Sequence, residues 1–216
     1  KAFEKNQNSM NCLMNFRGLL FILLIACLGL ASCNKRAGAP KVLIFSKTAG
    51  YHHESIADGI AAIQKMGTDN SFEVDTTTNA ENFNEENLGQ YAAVIFLSTT
   101  GDVLNHYQEA DFERYIQAGG AYVGIHAAAD TEYEWGWYNR LAGGYFANHP
   151  GMGDPHPNVQ PGELTVVDSL HPSTEFLPTT WNRTDEWYSY KKFYPEVNVL
   201  ITLDEDSYQG GIDMGE

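Results

Sequence analysis

Cysteine is scarce in this sequence, which has only Cys12, Cys27 and Cys33 among its 216 residues. Three cysteines are too few for the disulfide framework of a small secreted domain. Basic side chains are also in the minority, because 13 Lys and Arg stand against 28 Asp and Glu and leave a net charge of −15. Since a nucleic-acid partner requires clustered Lys and Arg for its phosphates, we expect no such partner.

The sequence also lacks a glycine-rich phosphate loop and a dinucleotide-binding fingerprint. We therefore expect no nucleotide cofactor, and the negative net charge further disfavours a phosphorylated substrate. A hydrophobic fraction of 43% with 12% aromatics is nevertheless typical of a packed globular protein. At about 100–200 residues per domain, the length predicts one domain with a sizeable core.

An apolar run at residues 19–30 follows Arg17 and ends in Leu30-Ala31-Ser32-Cys33. The run is shorter than the about 20 residues that span a bilayer and matches the core of a signal peptide. Its end resembles the lipobox of bacterial lipoproteins, which implies cleavage before Cys33 and attachment of lipid to its sulfur. A general secretory cleavage or an uncleaved anchor is the alternative interpretation.

We accordingly expect residues 1–32 to be a lipoprotein signal peptide and residues 33–40 a short flexible tether. The lipid would anchor the protein in the cell envelope, on the periplasmic side or on the surface of the outer membrane. Cleavage removes Cys12 and Cys27, and lipid occupies Cys33. The mature domain would then have no disulfide, no cysteine-bound zinc and no cysteine nucleophile.

The pattern of the remaining chain predicts an α/β fold. Apolar or alternating runs at 41–46, 72–76, 92–97 and 121–125 predict strands, and residues 54–66 and 107–118 predict helices. Gly67 is expected to end the first helix. This order predicts a flavodoxin-like, doubly wound and mostly parallel sheet, with its site outside the carboxyl ends of the strands.

The second half has weaker periodicity. Residues 131–160 predict a long functional loop or lid around one helix near 135–142, and strands are expected to resume at 163–167 and 197–202.

Several motifs then resemble the ThuA-like, or trehalose-utilisation, family. They are Gly50-Tyr-His-His-Glu-Ser-Ile56, Gly119-Gly-Ala-Tyr-Val-Gly-Ile-His126 and Trp137-Tyr-x-x-Leu-x-Gly-Gly-x-Phe-x-x-His-Pro150, extended by His171-Pro-Ser-Thr and Asp185-Glu-Trp-Tyr188. The resemblance implies a variant of the class I glutamine amidotransferase fold and a role in carbohydrate use. Usual members of the family continue past the end of this chain, so we expect residues 41–216 to be a ThuA-like domain that is truncated at its C-terminus.

The resemblance also excludes one activity. In amidotransferases, the turn after the strand equivalent to 121–125 presents a nucleophilic cysteine, but here it reads Gly124-Ile-His126-Ala127-Ala128. Without Cys, Ser or Thr at this turn, ammonia release from glutamine through a thioester is excluded. His126 could instead serve as a general base or a ligand, or be a hydrogen-bonded structural residue.

Other histidines are candidates for the same site. The adjacent His52 and His53 point apart, and we favour His53 as a substrate-binding residue, with an exposed loop position as the alternative. His149, held extended before Pro150, is a second candidate. Three imidazoles with a carboxylate suit Zn²⁺ or another transition metal, so His53, His126 and His149 are candidate metal ligands, although no short ligand spacing supports them.

The candidate carboxylates are Asp130, Asp185 and Glu186. Successive strand residues point to opposite faces, so Asp185 and Glu186 cannot both flank one glycosidic bond. We expect His126 to be the base and Asp130 or Glu186 the acid or orienting group, while Asp185 is a candidate for binding substrate. For each, a partly buried structural acid is the alternative.

Aromatic side chains crowd the same segments. We expect Trp137, Tyr138 and Trp187 to stack on a sugar face, although such residues could equally line the core beneath a lid.

Together these features predict a lipid-anchored protein that hydrolyses or eliminates a neutral or oxidised (keto) glycoside, such as a trehalose derivative. Any oxidation step would belong to a separate sugar oxidoreductase, since no nicotinamide fingerprint is present. The competing hypothesis is a non-catalytic sugar-binding lipoprotein.

Overall fold

The computed structural model describes residues 38–212 and 214. The predicted signal peptide, Cys33 and most of the tether lie outside these residues. None of the helices in the described part combines the length and apolar character that crossing a membrane requires.

The described chain contains a central sheet and two smaller ones. The strands are β1 (Lys41–Phe45), β2 (Glu73–Thr77), β3 (Ala93–Leu97), β4 (Ala121–Ile125), β5 (Tyr145–Asn148), β6 (Val159–Val166), β7 (Thr180–Glu186), β8 (Ser189–Lys191) and β9 (Ile201–Asp204). The α-helices are α1 (Ile56–Asn70), α2 (Glu85–Leu88), α3 (His106–Gln117) and α4 (Gly136–Ala142). Short 3₁₀ helices cover Ala80–Asn82, His126–Asp130 and Glu205–Ser207.

The central sheet is parallel, with the strand order β2-β1-β3-β4. This order matches the first four strands of the flavodoxin-like sheet, so the predicted fold class is confirmed. The chain reverses direction across the sheet between β1 and β3. A crevice therefore opens at the carboxyl ends of these strands, which is where such folds bind ligands.

Both faces of the central sheet are covered, as a doubly wound fold requires. Neighbouring residues of a strand point to opposite faces, so Phe45 and Phe96 enter one hydrophobic cluster while Ile44 and Ile95 enter the other. The aromatic cluster continues through Phe83, Phe112 and Tyr138, whereas the aliphatic one packs under α1. Burial on both faces explains why β1 and β3 appear in the sequence as continuous apolar runs.

Helix α1 continues past the glycine that was expected to end it. It ends at Asn70, and Ser71 takes the left-handed conformation with a φ of 61°. Gly67 lies within the helix, and a Cβ there would come within 2.7 Å of the Phe72 carbonyl oxygen. The prediction of a stop at Gly67 is wrong, because this glycine permits a close approach to the next strand rather than a turn.

The second half forms two antiparallel sheets, β7-β6-β9 and β5-β8. The expected loop at 131–160 contains α4, as predicted, and also β5. Strand β6 begins earlier than expected, and the strand expected at 197–202 is displaced to β9. Apart from the extended pair Asp185 and Glu186, strands β5, β7 and β8 were not predicted, because β5 and β8 are short and β7 is largely polar.

Candidate functional site

A cluster of histidines and one carboxylate lies at the carboxyl edge of the parallel sheet. His53 is in the loop after β1, and His126 directly follows β4. Glu186 is the last residue of β7, and His149 directly follows β5. The parallel sheet and both antiparallel sheets thus each bring side chains to one place.

His126 adopts a backbone conformation that is uncommon for a residue with a side chain. Its φ is 53°, at the turn where β4 passes into the 3₁₀ helix His126–Asp130. Such a left-handed backbone costs on the order of 1–3 kcal/mol and persists only where the surroundings impose it. The strain lies at the turn where the sequence motif predicted a functional residue.

Glu186 is at the centre of the cluster. Its Oε2 lies 3.1 Å from His126 Nε2 and 3.9 Å from His53 Nε2. Its Oε1 accepts a hydrogen bond of 3.1 Å from Asn158 Nδ2 and lies 3.6 Å from His149 Nε2. The carboxylate therefore bridges three imidazoles while only 15% of its side chain is exposed.

Tyr188 completes the cluster. Its hydroxyl lies 3.2 Å from His126 Nε2 and 3.5 Å from His53 Nε2. Burial, and after it the charge of Glu186, raises the pKa of Tyr188, so the phenol keeps its proton and is a donor. Tyr188 belongs to the Asp185-Glu-Trp-Tyr188 motif and to the aromatic side chains that crowd these segments, but it was not among the predicted site residues. Its position two residues after Glu186 in extended chain places it on the same face.

The surroundings of His53 favour its neutral form. Burial lowers the pKa of this histidine, and the nearby His126 lowers it further. Its Nδ1 is buried and has no hydrogen-bond partner among the described residues. Its ring meets that of His126 edge to face, with centroids 4.7 Å apart.

The cluster faces a cavity of about 430 Å³, a volume within the range of small-molecule sites. We call it the polar cavity because polar residues make up most of its lining. The cavity is lined by Tyr51, His53, Ser55, His126, Asp130, His149, Asn158, Val159, Glu186 and Tyr188. His126, Glu186 and Tyr188 also border a second, more apolar cavity of about 660 Å³ that Trp187 and Tyr208 line. These three residues form a wall between the two cavities.

Two of the aromatic candidates lie in the core instead. Tyr138 has no exposed surface, and its hydroxyl donates a hydrogen bond of 2.8 Å to the Ala128 carbonyl oxygen. Trp137 is partly buried against the core and stacks on Trp135, with centroids 5.1 Å apart. The expectation that Tyr138 stacks on a sugar is corrected, because its ring is fully buried. Trp137 is half-buried and lines neither of these two cavities.

The two neighbouring carboxylates of β7 point in different directions. Whereas Glu186 enters the cluster, Asp185 forms an ion pair of 2.7 Å with Arg183 Nη2 and does not line either cavity. The structure thus does not place Asp185 where it would touch a ligand in them. Strand alternation is the reason that only one of the pair reaches the site.

Two further candidates lie at the border of the cluster. Asp130 lines the polar cavity and accepts a hydrogen bond from the Tyr133 hydroxyl. Trp187 is almost fully buried and donates its indole N–H to the Gln160 carbonyl oxygen at 2.9 Å, while its ring borders the apolar cavity. Asp130 therefore faces the polar cavity, and Trp187 borders the apolar one.

The residues that could hold a metal differ from the predicted set in one member. Among the described residues, His53, His126 and Glu186 offer one donor atom each, all within 4.8 Å of one another. His149 was expected as the third ligand, but its ring faces Glu186 Oε1, whereas the other two histidines face Oε2. The carboxylate therefore takes the place of the third imidazole.

Fold and site together define a doubly wound α/β protein of flavodoxin-like topology with a histidine–carboxylate centre at the carboxyl edge of its sheet. The sequence model of the ThuA family, described as trehalose utilisation, matches residues 41–216. The chain therefore belongs to the ThuA family.

Solved structures of similar fold agree with this assignment. A ThuA-like protein from Bacteroides uniformis, known from a crystal structure, shares 27% sequence identity with this chain, and the two folds match with a TM-score of 0.65. The match covers 84% of this chain and 75% of that one. A ThuA-like protein from Parabacteroides merdae shares 20% sequence identity with this chain and matches it with a TM-score of 0.60. This match covers 78% of this chain and 70% of that one, and it supports the fold only. No curated protein sequence matches this chain.

Proposed function

We propose that this protein is lipid-anchored in the cell envelope and hydrolyses or eliminates a neutral or oxidised glycoside, such as a keto derivative of trehalose. Membership of the ThuA family supports a role in carbohydrate utilisation. The substrate and the reaction are inferred from the site. A keto glycoside would be supplied by a separate sugar oxidoreductase.

The observation that carries this proposal is the close pair of His126 and Glu186 in the wall of the polar cavity. Their 3.1 Å separation suits an imidazole that removes a proton while the carboxylate orients it. Asp130 lines the same cavity and supplies a second carboxylate for the acid role. A positioned acid–base group contributes about 10²–10⁴-fold to rate.

The lining of the cavity favours an uncharged, hydroxyl-rich ligand. Asp130, Asn158, Tyr51 and Ser55 offer carboxylate, amide and hydroxyl groups for hydrogen bonds to sugar hydroxyls. Neither Lys nor Arg is found among the described residues that line it. A phosphorylated sugar would lack a cationic partner there and would face Glu186 and Asp130.

A substrate screen of the full chain tests the proposal. We expect trehalose, 3-keto-trehalose and 3-keto-glucosides to include a compound that is turned over, with products followed by NMR and mass spectrometry. His126→Asn should lose this turnover and keep sugar binding, since Asn tolerates a positive φ but cannot act as the base. Equal turnover by His126→Asn and the wild type would contradict the assigned base.

The second candidate function is a sugar-binding lipoprotein without catalysis. It is favoured by the apolar cavity beside the cluster, where Trp187, Tyr190 and Tyr208 could hold a sugar face by stacking. Saturable binding without turnover of any screened compound would support this candidate over the enzyme.

Lipid attachment at Cys33 is tested separately. Cells that express the full chain are expected to incorporate an alkynyl palmitate analogue into it, and Cys33→Ala should abolish the label. Residual labelling of Cys33→Ala at the wild-type level would contradict the proposed anchor.

A further inference from the structure

The cluster has the donor set of a transition-metal site. Two imidazole nitrogens and one carboxylate oxygen come from His53, His126 and Glu186, which lie on three separate segments of the fold. Zinc sites that retain an open position are built from three such protein ligands, including sets of two histidines and one glutamate. The same combination also suits non-haem iron(II).

The distances between the donor atoms fit one shared ion. Ligand atoms at about 2.0–2.2 Å from a tetrahedral zinc lie about 3.4 Å from each other. Here Glu186 Oε2 is 3.1 Å from His126 Nε2 and 3.9 Å from His53 Nε2. These two distances lie on either side of the tetrahedral spacing, and all three donor atoms lie within 4.8 Å of one another.

His53 lacks a short polar contact that would explain its burial. Only 14% of its side chain is exposed, yet its Nε2 lies 3.9 Å from Glu186 and 3.5 Å from the Tyr188 hydroxyl. Its Nδ1 has no hydrogen-bond partner among the described residues. Burying an imidazole with such weak partners is costly, and a bound cation would offset the cost through Nε2.

The neighbouring groups hold the ligands in position. Asn158 donates to Glu186 Oε1, which leaves Oε2 directed at the two histidines. The strained turn fixes the backbone of His126 at the end of β4. Supporting contacts of this kind orient the ligands of known metal sites.

We propose that His53, His126 and Glu186 bind one divalent transition-metal ion, best matched by Zn²⁺, with an open coordination position toward the polar cavity. The inference deepens the proposed function, because it places a metal in the same site. An ion there would occupy the lone pairs of His126 and Glu186. Proton transfer would then fall to Asp130 and His149, which line the cavity and are not ligands in this set.

Direct metal binding tests this site independently of any activity. The full chain, purified without a histidine tag and stripped with a chelator, is titrated with Zn²⁺ against a chromogenic competitor, and its metal content is measured by mass spectrometry. We expect one ion per chain. His53→Gln, His126→Asn and Glu186→Gln should each weaken binding by more than about 100-fold, because removing a residue that only hydrogen-bonds to a metal ligand already costs up to about 100-fold.

His52→Gln is the matched control, since His52 is the exposed neighbour of His53 and contacts only the Thr48 hydroxyl among its polar partners. It should bind Zn²⁺ like the wild type. A wild type that holds Zn²⁺ no more tightly than Glu186→Gln, or an equal loss in His52→Gln, would overturn the proposal. If the ligand variants fail to fold, the wild type is tested alone with Co²⁺. Visible absorption of bound Co²⁺ that Zn²⁺ displaces supports the site, and the absence of this absorption overturns it.

The metal site and the proposed function can fail separately. Stoichiometric Zn²⁺ binding without turnover of any glycoside would support the metal site and contradict the enzyme. Turnover by chelator-treated protein that also fails to bind added Zn²⁺ would overturn the metal proposal and leave acid–base chemistry by His126 in place.

Discussion

Glu186→Gln is expected to lower glycoside turnover by about 10²–10⁴-fold while the chain remains folded. This carboxylate lies between 3.1 and 3.9 Å from a nitrogen of three histidines. Its charge is needed to orient His126 as the base or, with an ion bound, to act as a metal ligand. Glutamine keeps the shape and can still pair with Asn158, but it has no negative charge and is a poor metal ligand.

Asp185→Asn provides the matched control for this prediction. It removes the same kind of charge from the adjacent residue, whose partner is Arg183 at the exposed side of β7. We expect its turnover to stay close to that of the wild type, because exposed ion pairs contribute little. Steady-state kinetics of both variants, with circular dichroism to verify folding, make the comparison. Similar losses in the two variants would show that the position of the charge does not matter.

The stability of the fold is expected to fall as pH rises from about 4.5 to 8, through the titration of Glu132. Burial raises the pKa of Glu132 from 4.5 to about 7, although its Oε1 accepts backbone hydrogen bonds from Val103 and Leu104. A raised folded-state pKa means that the group favours the folded state below pH 4.5 and that this stability is lost as pH rises through about 7. At about 1.4 kcal/mol per pKa unit, the loss is about 3 kcal/mol.

Glu132→Gln isolates this contribution. Glutamine cannot ionise, and its carbonyl oxygen can accept the same two backbone N–H groups. We expect the free energy of unfolding of Glu132→Gln, relative to the wild type, to rise by about 2–4 kcal/mol between pH 4.5 and pH 8. Urea denaturation of both proteins at the two pH values measures the difference. A constant difference would mean that folding does not shift the pKa of Glu132.

The fold of the first half was predictable because its signals are local. The apolar runs of β1 and β3 and the helical spacing of α1 and α3 report burial directly. The second half was less predictable, since β7 depends on pairing with β6 and β8 on pairing with β5, and neither has a strong pattern of its own. Gly67 illustrates a local signal that misled, because the same residue type serves turns and close packing.

The site was predictable in part. The motif around His53 and His126 and the position of both after strands indicated a common site, and strand alternation indicated that only one of Asp185 and Glu186 would face it. Which of the two faces it depends on the register of β7 against β6, a pairing of residues far apart in the chain. The separation of Tyr138, in the core, from Trp187, at the apolar cavity, likewise depends on packing.

The sequence by itself determined the parallel α/β class, the lack of a nucleophile at the turn after β4 and the ThuA motifs, since each depends on residue types at short spacing. Only the tertiary structure decided that Glu186 joins His53 and His126, that Tyr188 completes the cluster and that His149 lies on the other carboxylate oxygen. The physical reason is that side-chain convergence depends on how distant strands pair and pack, whereas secondary structure and motif chemistry depend on neighbours along the chain.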